Sequence, residues 1–107
     1  EKMNNKQIVV IKTYCGTEAE TIKIAKELVN NRLAACCNYS PCNSIFRWKN
    51  ELEVAQEWIL SIKTIEANCQ AIVKSIQKEH SYDLPAIIIE KKDVNSEYFT
   101  WVFESCS

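Results

Sequence analysis

From Ser44 to Lys63 the sequence reads SIFRWKNELEVAQEWILSIK, and this stretch decides the fold. Ser44-Ile45-Phe46-Arg47-Trp48 carries the β-branched and aromatic residues that suit a pleated surface. Lys49-Asn50 is a compact turn signal, because asparagine tolerates the left-handed conformation. A second strand runs from about Glu53 to Lys63, with Trp58, Leu60 and Ile62 on one face and Glu57, Ile59, Ser61 and Lys63 on the other. Two strands of roughly ten residues each make a hairpin longer than most. Upstream, Leu33 to Cys37 leads through Asn38-Tyr39-Ser40-Pro41 into the first of these strands. An interruption is expected around Pro41, which donates no ladder hydrogen bond.

Working outward, Ile8-Val9-Val10-Ile11 is a short apolar run that reads as a buried central strand ending near Thr13. Thr17 followed by Glu20 is a capping box. The helix it opens places Ile22, Ala25, Leu28 and Val29 on one face and ends near Asn31 or Arg32. A second helix spans Glu66 to Glu79, with Ile65, Cys69, Ile72, Val73 and Ile76 on its stripe. Leu84-Pro85 breaks that pattern, Ala86-Ile87-Ile88-Ile89 reads as another buried strand, and Asn95-Ser96 opens a short helix carrying Phe99, Val102 and Phe103. The order β-α-β-β-α-β, with right-handed crossovers, gives an α+β ferredoxin-like sandwich with an extra C-terminal helix. Both crossover helices lie on one face of the sheet, and the other face is expected to be apolar and bare. Contact with other copies of the chain is the simplest cover for it.

Composition narrows the function. The 107 residues, 47% hydrophobic and 25% charged, suit one soluble domain over 1–107. A net charge of -1 gives no electrostatic footprint for nucleic acid or an anionic membrane. No apolar run approaches roughly 18 residues, so no segment spans a bilayer, and the opening Glu1–Gln7 lacks the apolar core of a secretion signal. Gly16 is the only glycine, which excludes glycine-rich phosphate loops and the G-x-S-x-G elbow. The single histidine, His80, rules out a two-His zinc site within one subunit. The six cysteines contain no C-x-x-C pair, and the chain reads as a cytoplasmic protein with reduced thiols.

Five segments together resemble the CutA family of divalent-cation tolerance proteins. They are Arg32-Leu33-Ala34-Ala35-Cys36 with Asn38, Ser44-Ile45-Phe46-Arg47-Trp48, Ile62-Lys63-Thr64, His80-Ser81-Tyr82-Asp83-Leu84-Pro85 and Tyr98-Phe99-Thr100-Trp101. They recur in the family's order from Ile8 to Glu104. The resemblance implies a tight homotrimer and a role in metal tolerance, with copper or another divalent cation bound in some members and no established catalytic activity. It also implies room for a protein partner, since animal members are linked to acetylcholinesterase anchoring. Hairpin edges paired across a three-fold axis agree with it, with Trp48, Trp58 and Trp101 at the interface or in inter-subunit clefts rather than in the core of one chain. The sequence departs from the family at Cys42 and Asn50, where glycines are usual. It also has Thr13 and Glu79-His80 where the family's copper-associated positions hold a cysteine and a histidine pair.

The metal candidates are therefore His80, Glu79 and Cys36. Imidazole suits copper and zinc, yet His80 also reads as the favourable residue closing a helix C-terminus. Cys36, Cys37 and Cys42 suggest a soft cation, although Cys36 and Cys37 point to opposite faces of a strand. Cys15, just before a helix N-terminus, is where a thiol pKa is lowered and reactivity raised. Three functions follow from different classes. The first is a non-catalytic trimer that binds metal or a small ligand between subunits. The second is a PII-like trimer sensing nucleotides, and the third is an enzyme with Cys15 as nucleophile and His80 as base. Arg47, Glu57 and Lys63 are expected near an inter-subunit groove.

Overall fold

Alternation along the first strand sets the two layers of the molecule. In β1 (Lys6–Cys15), Val9, Ile11, Thr13 and Cys15 pack on one side with Ile24, Leu28, Ile72 and Ile76. Ile8 and Val10 point the other way, against Val102 and Cys106. The computed structural model describes residues 6–107, so most of the polar opening read in the sequence lies outside the described residues. After β1 come α1 (Glu18–Asn30), β2 (Cys36–Trp48), β3 (Glu51–Thr64), α2 (Cys69–Glu79), β4 (Ile88–Val94) and α3 (Ser96–Ser105), with a 3₁₀ turn at Glu66–Asn68 leading into α2. The four strands form one sheet in the order β2-β3-β1-β4, antiparallel throughout. Each crossover skips one strand, so the two β-α-β units interleave in the ferredoxin-like α+β arrangement.

The hairpin is longer and more regular than its sequence implies. β2 pairs with β3 without a break from Cys36↔Lys63 to Trp48↔Glu51, and Pro41 sits opposite Trp58 in unbroken register. β2 is an edge strand, where one face of the backbone needs no partner and proline is tolerated. Lys49 and Asn50 close the turn at φ 51° and 67°, the paired left-handed geometry that matches strand twist.

Three expectations change. The buried face of α1 is Thr21, Ile24, Ala25 and Leu28, while Val29 is exposed. The last strand begins at Ile88 rather than Ala86 and carries Glu90, Lys91, Lys92 and Asp93, and Ile88 and Ile89 are both exposed. The sheet face opposite α1 and α2 is not bare, because α3 packs Val102 against Ile8 and Val10. What stays open includes the distal hairpin, where Ile45 and Val54 are each 72% exposed and Leu52 is 69% exposed, together with Leu84 and with Trp101 and Phe103 on α3. None of the three tryptophans is buried within the chain.

Candidate functional site

The C-terminal end of β1, the start of α1 and the end of α2 meet at one corner of the fold. Thr17 caps α1, its Oγ1 accepting the Glu20 N–H at 3.1 Å. A capping box would turn the Glu20 carboxylate back on residue 17. Instead that carboxylate spans to the chain beyond α2, accepting the Ser81 N–H at 2.9 Å and the Ser81 hydroxyl at 2.7 Å. His80 closes α2 through its N–H to the Ile76 carbonyl, and its side chain is fully buried. Nε2 lies 2.8 Å from the Tyr14 carbonyl, which only accepts, so Nε2 carries the proton. Nδ1 accepts the Tyr82 N–H at 3.1 Å, with Glu20 Oε2 at 3.5 Å. His80 does stand at the C-terminal end of α2, but its ring nitrogens meet the Tyr14 carbonyl and the Tyr82 N–H rather than the last carbonyls of the helix.

Cys15 completes the corner. The ligand atoms of Cys15, Glu20 and His80 all lie within 4.8 Å of one another, a thiol, carboxylate and imidazole in one small volume. Cys15 is fully buried, and burial, with help from the charges of Glu20 and Glu57 and against a Thr21 hydrogen bond, pushes its thiol up. The lowered pKa expected of a thiol before a helix N-terminus is not found, because desolvation outweighs the helix dipole here. Thr13, at the position where the family resemblance implies a cysteine, points to the same face as Cys15, and its buried hydroxyl has no hydrogen-bond partner among the described residues.

The other two metal candidates stand elsewhere. Glu79 is drawn to Lys23, 3.4 Å away on α1. Cys36 starts β2 opposite Lys63, half-buried, with its Sγ 3.8 Å from Asn38 Oδ1. Neither belongs to the group around His80. The sequence did contain Glu20, but its capping role accounted for it and left no reason to look further. Cys15 and His80 were paired on chemical grounds alone, and the fold does bring them together.

Beside this corner lies a cleft of about 860 Å³ between the hairpin and the 81–86 segment. Tyr14, Phe46, Trp48 and Tyr82 are among its walls, and among the described residues Glu53, Glu57 and Asp83 are its charged groups, with no lysine or arginine in the lining. Glu57 is only 8% exposed, and it accepts the Tyr82 hydroxyl at 2.8 Å. Burial and then Glu57 push the Tyr82 hydroxyl well above its ordinary value, so it stays a neutral donor. Tyr82 is the partition between corner and cleft, its ring 4.8 Å from that of His80. A Cβ on Gly16 would meet Tyr82 Cε1 at 3.3 Å, so the ring would have to shift by a few tenths of an ångström to admit one.

Comparison with known proteins agrees with the segments singled out in the sequence. The family model described as "CutA1 divalent ion tolerance protein" matches residues 8–105. A divalent-cation tolerance protein CutA of Thermotoga maritima is 33% identical over 99 residues, which is 92% of this chain and 97% of that protein. Among solved structures, the divalent ion tolerance protein CutA1 of Ehrlichia chaffeensis superposes with a TM-score of 0.90 at 29% identity, covering 97% of this chain and 99% of the other. The protein described as periplasmic divalent cation tolerance protein CutA of Archaeoglobus fulgidus also reaches 0.90, at 28% identity over 94% of this chain and 99% of its own.

Proposed function

The chain belongs to the CutA1 divalent ion tolerance family, and from that premise we propose that it works in divalent-cation tolerance as a non-catalytic homotrimer. In this reading it binds copper or another divalent cation at His80 and a small ligand in the adjoining cleft, where subunits meet. The observation that carries the reading is the close grouping of Cys15, Glu20 and His80. Thiolate, carboxylate and imidazole together suit a transition metal rather than calcium or magnesium. Binding at Nδ1 displaces the Tyr82 N–H, and ligation by Cys15 releases a proton, so uptake rises with pH and loosens the 80–82 turn. Glu79 is a reserve ligand, since its pair with the exposed Lys23 is readily broken. Cys36 enters as a residue of a neighbouring subunit.

Several observations support the rest. The radius of gyration is 15.0 Å, against about 13 Å for a compact chain of this length, and the excess lies in a hairpin with exposed Ile45, Leu52 and Val54. A buried Cys15 whose thiol holds its proton argues against nucleophilic catalysis. A cleft with three carboxylates and no lysine or arginine among the described residues repels a triphosphate, against nucleotide sensing. Six free thiols favour a reducing, cytoplasmic compartment, and rapid alkylation of fresh extract without reductant checks it by the mass of the fully modified chain.

The test is light scattering followed by metal analysis after equilibration with micromolar copper. A mass three times that of the chain, and copper retained by the wild type but lost in His80→Ala, is the expected result. A monomer at all concentrations, or equal copper in both proteins, overturns it.

A further inference from the structure

We propose that the cleft between the β2–β3 hairpin and the 81–86 segment is a receptor for an aliphatic amine, its ammonium held at Glu57 and its carbon chain laid on the aromatic walls. The proposal deepens the small-ligand half of the function above and rests on that reading, while its ligand groups differ from those of the cation site at His80.

Glu57 is the starting point. The residue is 8% exposed, its side chain lines the cleft, and it forms no ion pair among the described residues. Its hydrogen-bond partner is a neutral hydroxyl, that of Tyr82. The Tyr82 hydroxyl engages only Oε2, which leaves Oε1 as an acceptor for an ammonium placed in the cleft. Glu53 and Asp83 extend the negative field, so an approaching cation is drawn in rather than merely tolerated.

The walls say what kind of cation. Phe46 faces Glu53 across the ladder and Trp48 follows on the same side of β2, so a carboxylate and two rings share one face of the hairpin. Tyr14 and Tyr82 add two further rings. Aromatic faces attract ammonium groups, and their breadth buries methylenes. The chain's own Lys49 already illustrates the preference, its Nζ standing 5.9 Å from the centre of the Trp48 ring. A cavity of about 860 Å³ has the size of a small-molecule site. A hard metal dication demands a shell of six or more oxygens at short range and gains nothing from four rings.

Calorimetric titration of the assembled wild-type protein with spermidine, at fixed physiological ionic strength, tests this. Saturable binding is expected, weakened at least tenfold in Glu57→Gln and in Trp48→Ala, and not displaced by magnesium at equal charge concentration. The amide oxygen introduced by Glu57→Gln still accepts the Tyr82 hydroxyl, and Trp48 is 42% exposed, so both variants should fold, which circular dichroism verifies. Absence of heat, equal affinity in the two cleft variants and the wild type, or full displacement by magnesium overturns the proposal. Copper uptake, measured in the same Glu57→Gln protein, reports separately on the His80 reading.

Discussion

The thiol of Cys37 lies on the helix-facing side of β2, opposite Ile62 and packed against the core. Burial, reinforced by the charge of Cys36, pushes it up to about 12 from an ordinary 9.0. The folded chain therefore keeps a proton that the unfolded chain loses near pH 9. Its contribution to stability is complete below pH 9 and falls as the pH climbs toward 12. Denaturant unfolding from pH 8 to 11 should show falling stability, with a shallower fall in Cys37→Ala. An unchanged slope would place the effect in other groups, such as Cys15 and Tyr82, which are shifted in the same direction. Legibility at this scale depended on whether a local role hid a distant one. His80 was placed correctly at the end of α2, because that position is written in its neighbours. Glu20 was not recognised as a clamp on Ser81, because the partner lies 61 residues away and its local capping pattern was already satisfactory.

Elements were legible where a local rule and the tertiary environment agree. The Lys49-Asn50 turn is such a case, and it carries a sharp expectation. Asn50 holds φ 67°, a conformation that costs a β-branched residue about 1–2 kcal/mol. Asn50→Val should lower stability by about that amount, and Asn50→Gly should leave it equal or slightly higher, as read by chemical denaturation. If valine costs nothing, the hairpin is not held by its turn. β4 was misread for the opposite reason. Glu90-Lys91-Lys92-Asp93 has poor strand propensity, yet its backbone pairs with β1 down to Lys6↔Val94. On an edge strand, charge discourages pairing with a further chain, so the environment favours residues that propensity disfavours. α3 was placed correctly as a helix, but its docking on Ile8 and Val10 could not be read from a short amphipathic pattern alone.

At the scale of the whole molecule, the strand order and layering followed from element order and crossover handedness, whereas the corner at His80 had to be seen. Three ends converge there that no sequence window contains. The long hairpin is what the chain leaves unfinished, since it runs beyond the helices with Ile45, Leu52 and Val54 on the outside. Replacing these three by threonine keeps β-propensity while removing much of the apolar surface. The variant should retain its far-ultraviolet spectrum yet show a scattering mass shifted toward one chain. A persistent assembly would mean that these residues are not what its contacts bury.

That unfinished arm has a consequence for behaviour at low abundance. Residues near the Lys49-Asn50 tip derive little shielding from their own chain, so in the proposed trimer their opening free energy includes a share set by encounter with other copies. Dilution thus acts as a selective denaturant, leaving the inner sheet intact while the tip exchanges its amide protons and admits proteases. A cell that lets the level of this polypeptide fall would therefore lose it first from the arm inward.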